Sequence, residues 1–142
     1  SDLGDWMAKQ CYALLPQQHL LKQCDAVVPV PLHPKREKQR GYNQSARFGH
    51  YWAKQLGVPF LSNMLLRKNE TKTLVRMSRK ERWKEVKNAF VIETNTNYKH
   101  VLLVDDVITT GATLTACGNA LLEQATQKIS ILGMAYAQNI LP

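Results

Sequence analysis

Apolar residues fall along this chain in two rhythms, and the switches between them mark out its elements. Residues 5–22 carry apolar side chains at helical spacing, interrupted by Pro16. Ala26 to Leu32, AVVPVPL, is a nearly unbroken apolar run, which predicts a buried strand leaving into a proline-punctuated loop. The next stretch, HPKREKQRGY, is polar and basic and is expected on the surface. From Asn43 the pattern turns helical to about Leu56. Ala46, Gly49, Ala53 and Leu56 form an inner stripe at steps of three and four, and Gly57 stands where helices stop.

The second half alternates in the same way. PFLSNMLLRK, residues 59–68, predicts a strand. A basic segment follows, and Ser78 with Glu81 forms an S-x-x-E capping box that starts a short helix. NAFVIE predicts another strand and TNTNYK a turn. HVLLVDD, residues 100–106, is the clearest strand, because a continuous apolar run suits a parallel strand covered on both faces. Ala112 to Ala125 predicts a helix with Leu114, Cys117, Leu121, Leu122 and Ala125 turned inward, and KISILGMAYA closes the chain as a strand. Strands alternating with helices argue for an α/β fold with a mainly parallel sheet.

The bulk numbers agree. With 142 residues, 44% apolar and 21% charged, the chain has the length and composition of one globular domain. No run approaches the roughly 18 apolar residues of a membrane span and no signal-peptide pattern opens the chain, so a cytoplasmic protein with no membrane partner is expected. Cys11, Cys24 and Cys117 fit neither paired C-x-x-C zinc spacing nor a disulfide framework, and read as free thiols. The chain begins Ser1-Asp2 rather than with Met, which leads us to expect that an upstream piece has been removed.

Charge changes the picture more. The net value is +8 and its excess is concentrated. Residues 67–87 hold nine basic and three acidic side chains, and Lys35, Arg36, Lys38, Arg40 and Arg47 stand against Glu37 alone. Such fields attract anions: nucleic acid, a membrane surface or a phosphorylated small molecule. A solvated face is the bland alternative.

The sharpest signal is VLLVDDVITTGAT, residues 101–113. Two carboxylates stand at the carboxyl end of a buried strand, where open α/β sheets bind ligands. The loop beyond them offers backbone N–H groups, threonine hydroxyls, a helix N-terminus and a glycine that lets the backbone approach closely, all suited to an anion. The carboxylates suit sugar hydroxyls or a metal. A P-loop would need G-x-x-x-x-G-K-[ST], and a dinucleotide fingerprint G-x-G-x-x-G; both are missing. A receiver domain needs most of its length after the acidic pair, and only 36 residues follow Asp106.

In its order of four apolar residues, two acids and a loop ending Thr-Gly-x-Thr, Val101 to Thr113 resembles the phosphoribosyl-pyrophosphate motif of type I phosphoribosyltransferases. VPVPLHPKREKQRGYNQSA, residues 28–46, is similar to the competence protein F (ComF) branch of that superfamily, above all at Arg40-Gly41-Tyr42-Asn43-Gln44. Thr73 to Phe90 resembles the same branch, with Ser78-Arg79 and Arg82 ahead of an Ala-Phe strand, although Leu74-Val75 and Glu85 depart from its common pattern.

The resemblance spans roughly residues 25–137. It implies a type I phosphoribosyltransferase (Rossmann-like) fold, a mainly parallel central sheet flanked by helices, with a mobile hood loop. Members commonly begin with a cysteine-rich zinc module. Residues 1–24 are therefore expected to be a helical segment left after that module, with the phosphoribosyltransferase domain at 25–142.

The implied activity is transfer of the phosphoribosyl group from phosphoribosyl pyrophosphate, with magnesium as cofactor, to an unnamed nucleobase or amine. Asp105 and Asp106 would hold the ribose hydroxyls and stabilise the positive ribosyl centre. Thr109, Thr110, Gly111, Ala112 and Thr113 would cradle the 5-phosphate. Lys35, Arg36 and Arg40 would face the diphosphate, Arg36 and Arg40 sharing in catalysis. Arg76, Arg79 and Arg82 would sit on the hood, and magnesium would be held through the ligand with no direct protein ligand. His33 reads as a loop side chain more readily than a general base. The resemblance leaves open a non-catalytic sensor, a single-stranded-DNA partner in natural transformation, and a homodimer.

Overall fold

In a computed structural model, which describes residues 2–16, 18–68, 78–93 and 97–137, the strands and helices alternate as α1 (Asp2–Leu14), α2 (Gln18–Leu21), β1 (Ala26–Pro29), α3 (Pro34–Arg40), α4 (Gln44–Leu56), β2 (Leu65–Arg67), α5 (Arg79–Lys87), β3 (Phe90–Ile92), β4 (His100–Ile108), α6 (Ala112–Leu122) and β5 (Lys128–Tyr136). β4 is the centre of a parallel three-stranded sheet in the order β1-β4-β5. Its apolar run is unbroken because both faces are covered: Val101, Leu102, Leu103 and Val104 are each fully buried. Burying such side chains stabilises the fold by roughly 1.5–3 kcal/mol apiece.

Those four residues alternate between two cores, as the twofold period of a strand requires. Leu102 and Val104 join Val27 against α1 and α4, in a cluster with Ala8, Leu21, Cys24, Phe48, Trp52 and Ala53. Val101 and Leu103 join Val28 and Val30 against α6 and the β2–β3 pair, with Met64, Leu65, Phe90, Leu114, Cys117 and Leu121. α4 lies unusually close to the sheet. A Cβ on Gly49 would stand 2.7 Å from Val104 Cγ2 and 3.0 Å from Phe60 Cε2, so no larger residue fits there without displacement.

The chain therefore leaves β1 and β4 toward opposite faces, to α4 on one side and α6 on the other. Adjacent parallel strands that diverge in this way open a crevice at their carboxyl ends.

Several boundaries differ from the sequence reading. Residues 34–40, expected as loop, form α3: Pro34 is preorganised for a first helical turn, His33 caps it by accepting the Lys35 N–H at Nδ1 (3.2 Å), and Gly41 closes it at φ 77°. Its residues are all exposed, as expected. The strand expected at 59–68 shortens to β2, which pairs antiparallel with β3; Phe60 makes one isolated bridge to Val27. β4 continues past the acid pair to Ile108. α6 ends at Leu122, so Leu122 and Ala125 face solvent instead of the core. The capping box forms as read: Glu81 accepts the Ser78 N–H (2.7 Å) and Ser78 Oγ the Glu81 N–H (3.2 Å). The three cysteines are free thiols, and burial pushes those of Cys24 and Cys117 up in pKa. No helix among the described residues is long and apolar enough to cross a membrane.

Candidate functional site

β1 ends opposite Val104, where the Val30 N–H donates to the Val104 carbonyl (2.8 Å). β4 and β5 run on together, so Asp105 and Asp106 stand where the sheet has lost its strand on one side. The notch is bordered by α3, the start of α4 and the loop into α6.

Asp105 is the inner of the two acids. Its Oδ1 accepts the Asp106 N–H (2.8 Å) and the Ser45 hydroxyl (3.3 Å). Burial pushes the Asp105 carboxyl up to about 6, and the Asp106 carboxylate adds to the rise, while the Asp106 N–H and the Ser45 hydroxyl oppose it. Asp106 is the outer acid. Its Oδ1 accepts the Val107 N–H (2.8 Å), and its Oδ2 lies 3.8 Å from Arg40 Nη1. That pair is wet, with Arg40 half exposed, so its own contribution to stability is small. The consequence is positional: α3 carries a guanidinium to the mouth of the acid pair.

The loop from Thr109 to Thr113 lines a small pocket of about 40 Å³ with Asp105, Val107, Ile108 and Leu114. Gly111 holds φ 77°, which a side chain would strain, and it stands at the N-cap of α6 without capping it. α6 thus begins with no side-chain cap; the Ala112 N–H reaches Thr110 Oγ1 at a long 3.4 Å. First-turn N–H groups without firm partners at the positive end of a helix dipole make an anion site. The loop itself carries no cation.

Asp105 and residues 109–113 therefore share one pocket; Asp106 follows Asp105 on β4, outside that lining, and Arg40 reaches Asp106. Lys35 and Arg36 are exposed on α3, the helix that brings Arg40. His33 Nδ1 is occupied in capping α3. Arg79 is exposed at the start of α5; Arg76, and the side chain of Arg82, lie outside the described residues. Tyr42 is exposed beside α4, with the Arg47 guanidinium 5.0 Å from its ring centroid.

Two contributors were not anticipated. Asn43 accepts the Ser45 N–H at Oδ1 (3.0 Å) and donates from Nδ2 to the Val30 carbonyl (3.1 Å), which ties α4 to the end of β1. Ser45 then reaches Asp105. Asn43 is readable as a cap from its place before a helix, but Ser45 is separated from Asp105 by 60 positions and carries no local signal.

As for a metal, no group of three or more His, Cys, Asp or Glu gathers among the described residues. Two adjacent carboxylates are too few for an all-protein cage. The donor set fits magnesium that arrives on a ligand's phosphates and keeps much of its water.

Comparison with known proteins bears on the family and the fold. The phosphoribosyl transferase domain family matches residues 45–138. Competence protein F of Haemophilus influenzae is 38% identical over 122 residues, 84% of this chain and 53% of that protein. DNA utilization protein YhgH of Escherichia coli K12 is 32% identical over 107 residues, 75% of this chain and 47% of that one. Competence protein ComFC of Bacillus subtilis is 30% identical over 112 residues, 77% of this chain and 41% of that one. The chain thus spans about half the length of the curated relatives it matches.

Among solved structures, adenine phosphoribosyltransferase of Saccharomyces cerevisiae superimposes with a TM-score of 0.59 at 16% identity, covering 95% of this chain and 69% of that one. Glutamine phosphoribosylpyrophosphate amidotransferase of B. subtilis gives 0.58 at 19%, covering 93% and 25%. At such identities the likeness is one of fold. With its relatives among the competence protein F homologues, the chain belongs to the phosphoribosyl transferase domain family.

Proposed function

We propose that this chain binds phosphoribosyl pyrophosphate with magnesium and transfers the phosphoribosyl group to a nitrogen acceptor. The observation that carries the reading is that Asp105, the inner acid of the pair, lines one pocket with the loop and the uncapped N-terminus of α6. A sugar diol needs acceptors and a phosphate needs donors, and Asp105 stands beside the loop that would supply the donors.

Asp105 and Asp106 accept hydrogen bonds from the ribose hydroxyls, worth roughly 1.5–3 kcal/mol each for charged acceptors. Residues 109–113 hold the 5-phosphate through backbone N–H groups. Arg40, with Lys35 and Arg36 on the same helix, faces the departing diphosphate, where fixed cations stabilise charge as it develops. As the bond from ribose carbon 1 to the diphosphate breaks, the positive ribosyl centre gains from the nearby carboxylates, and the acceptor nitrogen takes the carbon. Magnesium, when bound through the diphosphate, neutralises part of the leaving group's charge. Arg79, exposed at the start of α5, would serve in a hood over the ligand that excludes water.

Two relatives are named for competence and one for DNA utilization, and this chain carries +8 net charge. These favour a second reading, a role in natural transformation in which the ligand is sensed without turnover or single-stranded DNA is bound as well.

The test is calorimetry with phosphoribosyl pyrophosphate and magnesium, followed by a screen for diphosphate release with nucleobases, orotate and ammonia donors. Binding with release supports the transferase. Binding without release favours the sensor, and no binding sinks both. Affinity for single-stranded DNA should fall steeply with salt if phosphates dominate the contact; no affinity at low salt removes DNA as a direct partner.

A further inference from the structure

We propose that Ser45 is a positioning residue of this site: its hydroxyl holds Asp105 in one orientation and favours its ionised form, so that the acid pair offers a fixed acceptor edge to a sugar diol. The inference rests on reading the acid pair as the ribose contact.

Ser45 is only 3% exposed, and a buried hydroxyl is expected to find a partner. Its Oγ is directed out of α4 to Asp105 Oδ1. Its position is fixed from the other side, because its N–H donates to Asn43 Oδ1 while Asn43 Nδ2 donates to the Val30 carbonyl. A continuous relay thus runs from the end of β1, through the first turn of α4, to the acid at the end of β4. All three elements must be in place for Asp105 to be held.

The direction of the effect follows from the donor. A hydroxyl can donate to a carboxylate oxygen and so favours the charged form, against the burial that disfavours it. It occupies Oδ1 together with the Asp106 N–H, which leaves Oδ2 as the oxygen for a proton or a ligand hydroxyl. Among the described residues, other charged or titratable groups around Asp105 are few. Asp106 on β4 opposes ionisation, and Arg40 on α3 acts through Asp106. The Cys117 thiol on α6 feels the Asp105 charge, with Arg67 on β2 acting on that thiol in the opposite sense. β5 places Gly133 alongside, and β1 ends at Pro29, neither with a charge. Ser45 is the side chain α4 contributes. At 3.3 Å the bond is long, so its effect lies at the low end for a charged acceptor.

The decisive measurement needs no ligand. Carboxyl carbon NMR on the full chain follows the titration of Asp105 in wild type, Ser45→Ala and the near-isosteric Ser45→Cys, whose thiol is a weaker donor. The Asp105 midpoint should rise by about half to one pH unit in Ser45→Ala and by less in Ser45→Cys. A midpoint unchanged in both variants overturns the proposal; if Ser45→Ala does not fold, Ser45→Cys alone decides.

The second measurement is the pH profile of affinity for phosphoribosyl pyrophosphate with magnesium. Relative to wild type, Ser45→Ala should bind about 1.5- to 3-fold more weakly at pH 6.5 than it does at pH 8.5, because the ionised fractions differ only at the lower pH. A loss of the same size at every pH marks a merely structural role and overturns the proposal. A wild-type chain that ignores the ligand defeats the functional reading, while the titration still decides what Ser45 does to Asp105.

Discussion

The two ends of β4 treat polar groups in opposite ways. At its start, His100 is 8% exposed and sits among paired groups. The N–H groups of Lys99 and His100 donate to the Asp25 carboxylate (3.0 and 2.9 Å), and the Asp25 N–H donates to the His100 carbonyl (2.9 Å). His100 Nδ1 lies 3.1 Å from the Gln23 carbonyl, which can only accept, so this nitrogen carries the proton. Nε2 lies 2.9 Å from the Ser130 hydroxyl, with Cys24 Sγ 3.4 Å away. At the other end, two carboxylates stand side by side, a helix begins uncapped and a glycine holds a left-handed turn. One end closes its polarity on itself and serves the fold. The other leaves charge and donors facing outward, an arrangement that costs the free protein stability and that a bound ligand would relieve.

Substitutions at the two ends should therefore separate binding from stability. The largest effect is expected from Asp105→Asn with Asp106→Asn, which removes both charged acceptors: affinity for phosphoribosyl pyrophosphate with magnesium should fall on the order of 100-fold or more by calorimetry. Unaffected binding would place the ribose elsewhere. His100→Ala should do the reverse, costing about 2–4 kcal/mol in urea unfolding through the cavity and the stranded Ser130 and Gln23 groups, with affinity for the same ligand preserved while the variant remains folded.

Gly111→Ala joins the two quantities. A side chain at φ 77° costs about 1–2 kcal/mol, and the displaced amides should weaken binding of inorganic phosphate in the same variant. If stability drops and phosphate affinity does not, the loop is a turn and no cradle.

The smallest effect has the most telling sign. The folded pKa of Asp105, about 6, lies above the roughly 3.9 of an unfolded aspartate, so the folded chain holds the proton more tightly. Stability linked to this group is fully present below the unfolded value, declines as pH rises from about 4 to 6, and stays reduced above that. Asp105→Asn cannot lose a proton. It should be more stable than wild type at pH 7.5, on the order of 1 kcal/mol after allowing for solvent screening, with the difference vanishing toward pH 4. A variant less stable than wild type at pH 7.5 would show that Asp105 is structural after all.

The same contrast explains what was legible in the sequence. HVLLVDD announced β4 because a strand covered on both faces has no polar alternation to confuse with a helix. Asn43 and Gly57 bracketed α4 because caps are local chemistry. α3 was missed since PKREKQR has no apolar face at all, and only His33, Pro34 and Gly41 at its ends betray it. On α4 the inner stripe was read correctly at Gly49, Ala53 and the partly buried Leu56, but the fully buried Phe48 and Trp52 were not, because the stripe looks toward one layer and α1 supplies a second. The acid pair and its threonine loop lie within a single stretch of chain and could be read whole. Arg40 was named from the resemblance alone, and its contact with Asp106, like that of Ser45 with Asp105, exists only once the sheet has formed.

Gly49 carries a consequence beyond packing. With Val104 directly beneath it, this hydrogen-sized position sets how deeply α4 is seated on the sheet, and the first turn of α4 carries Ser45. A methyl group added there would lift the helix like a shim under a hinge plate and widen the mouth of the crevice from its rear, without touching any residue that meets a ligand. The aperture of the site is thus gauged one turn of helix behind it, at a residue with no functional group.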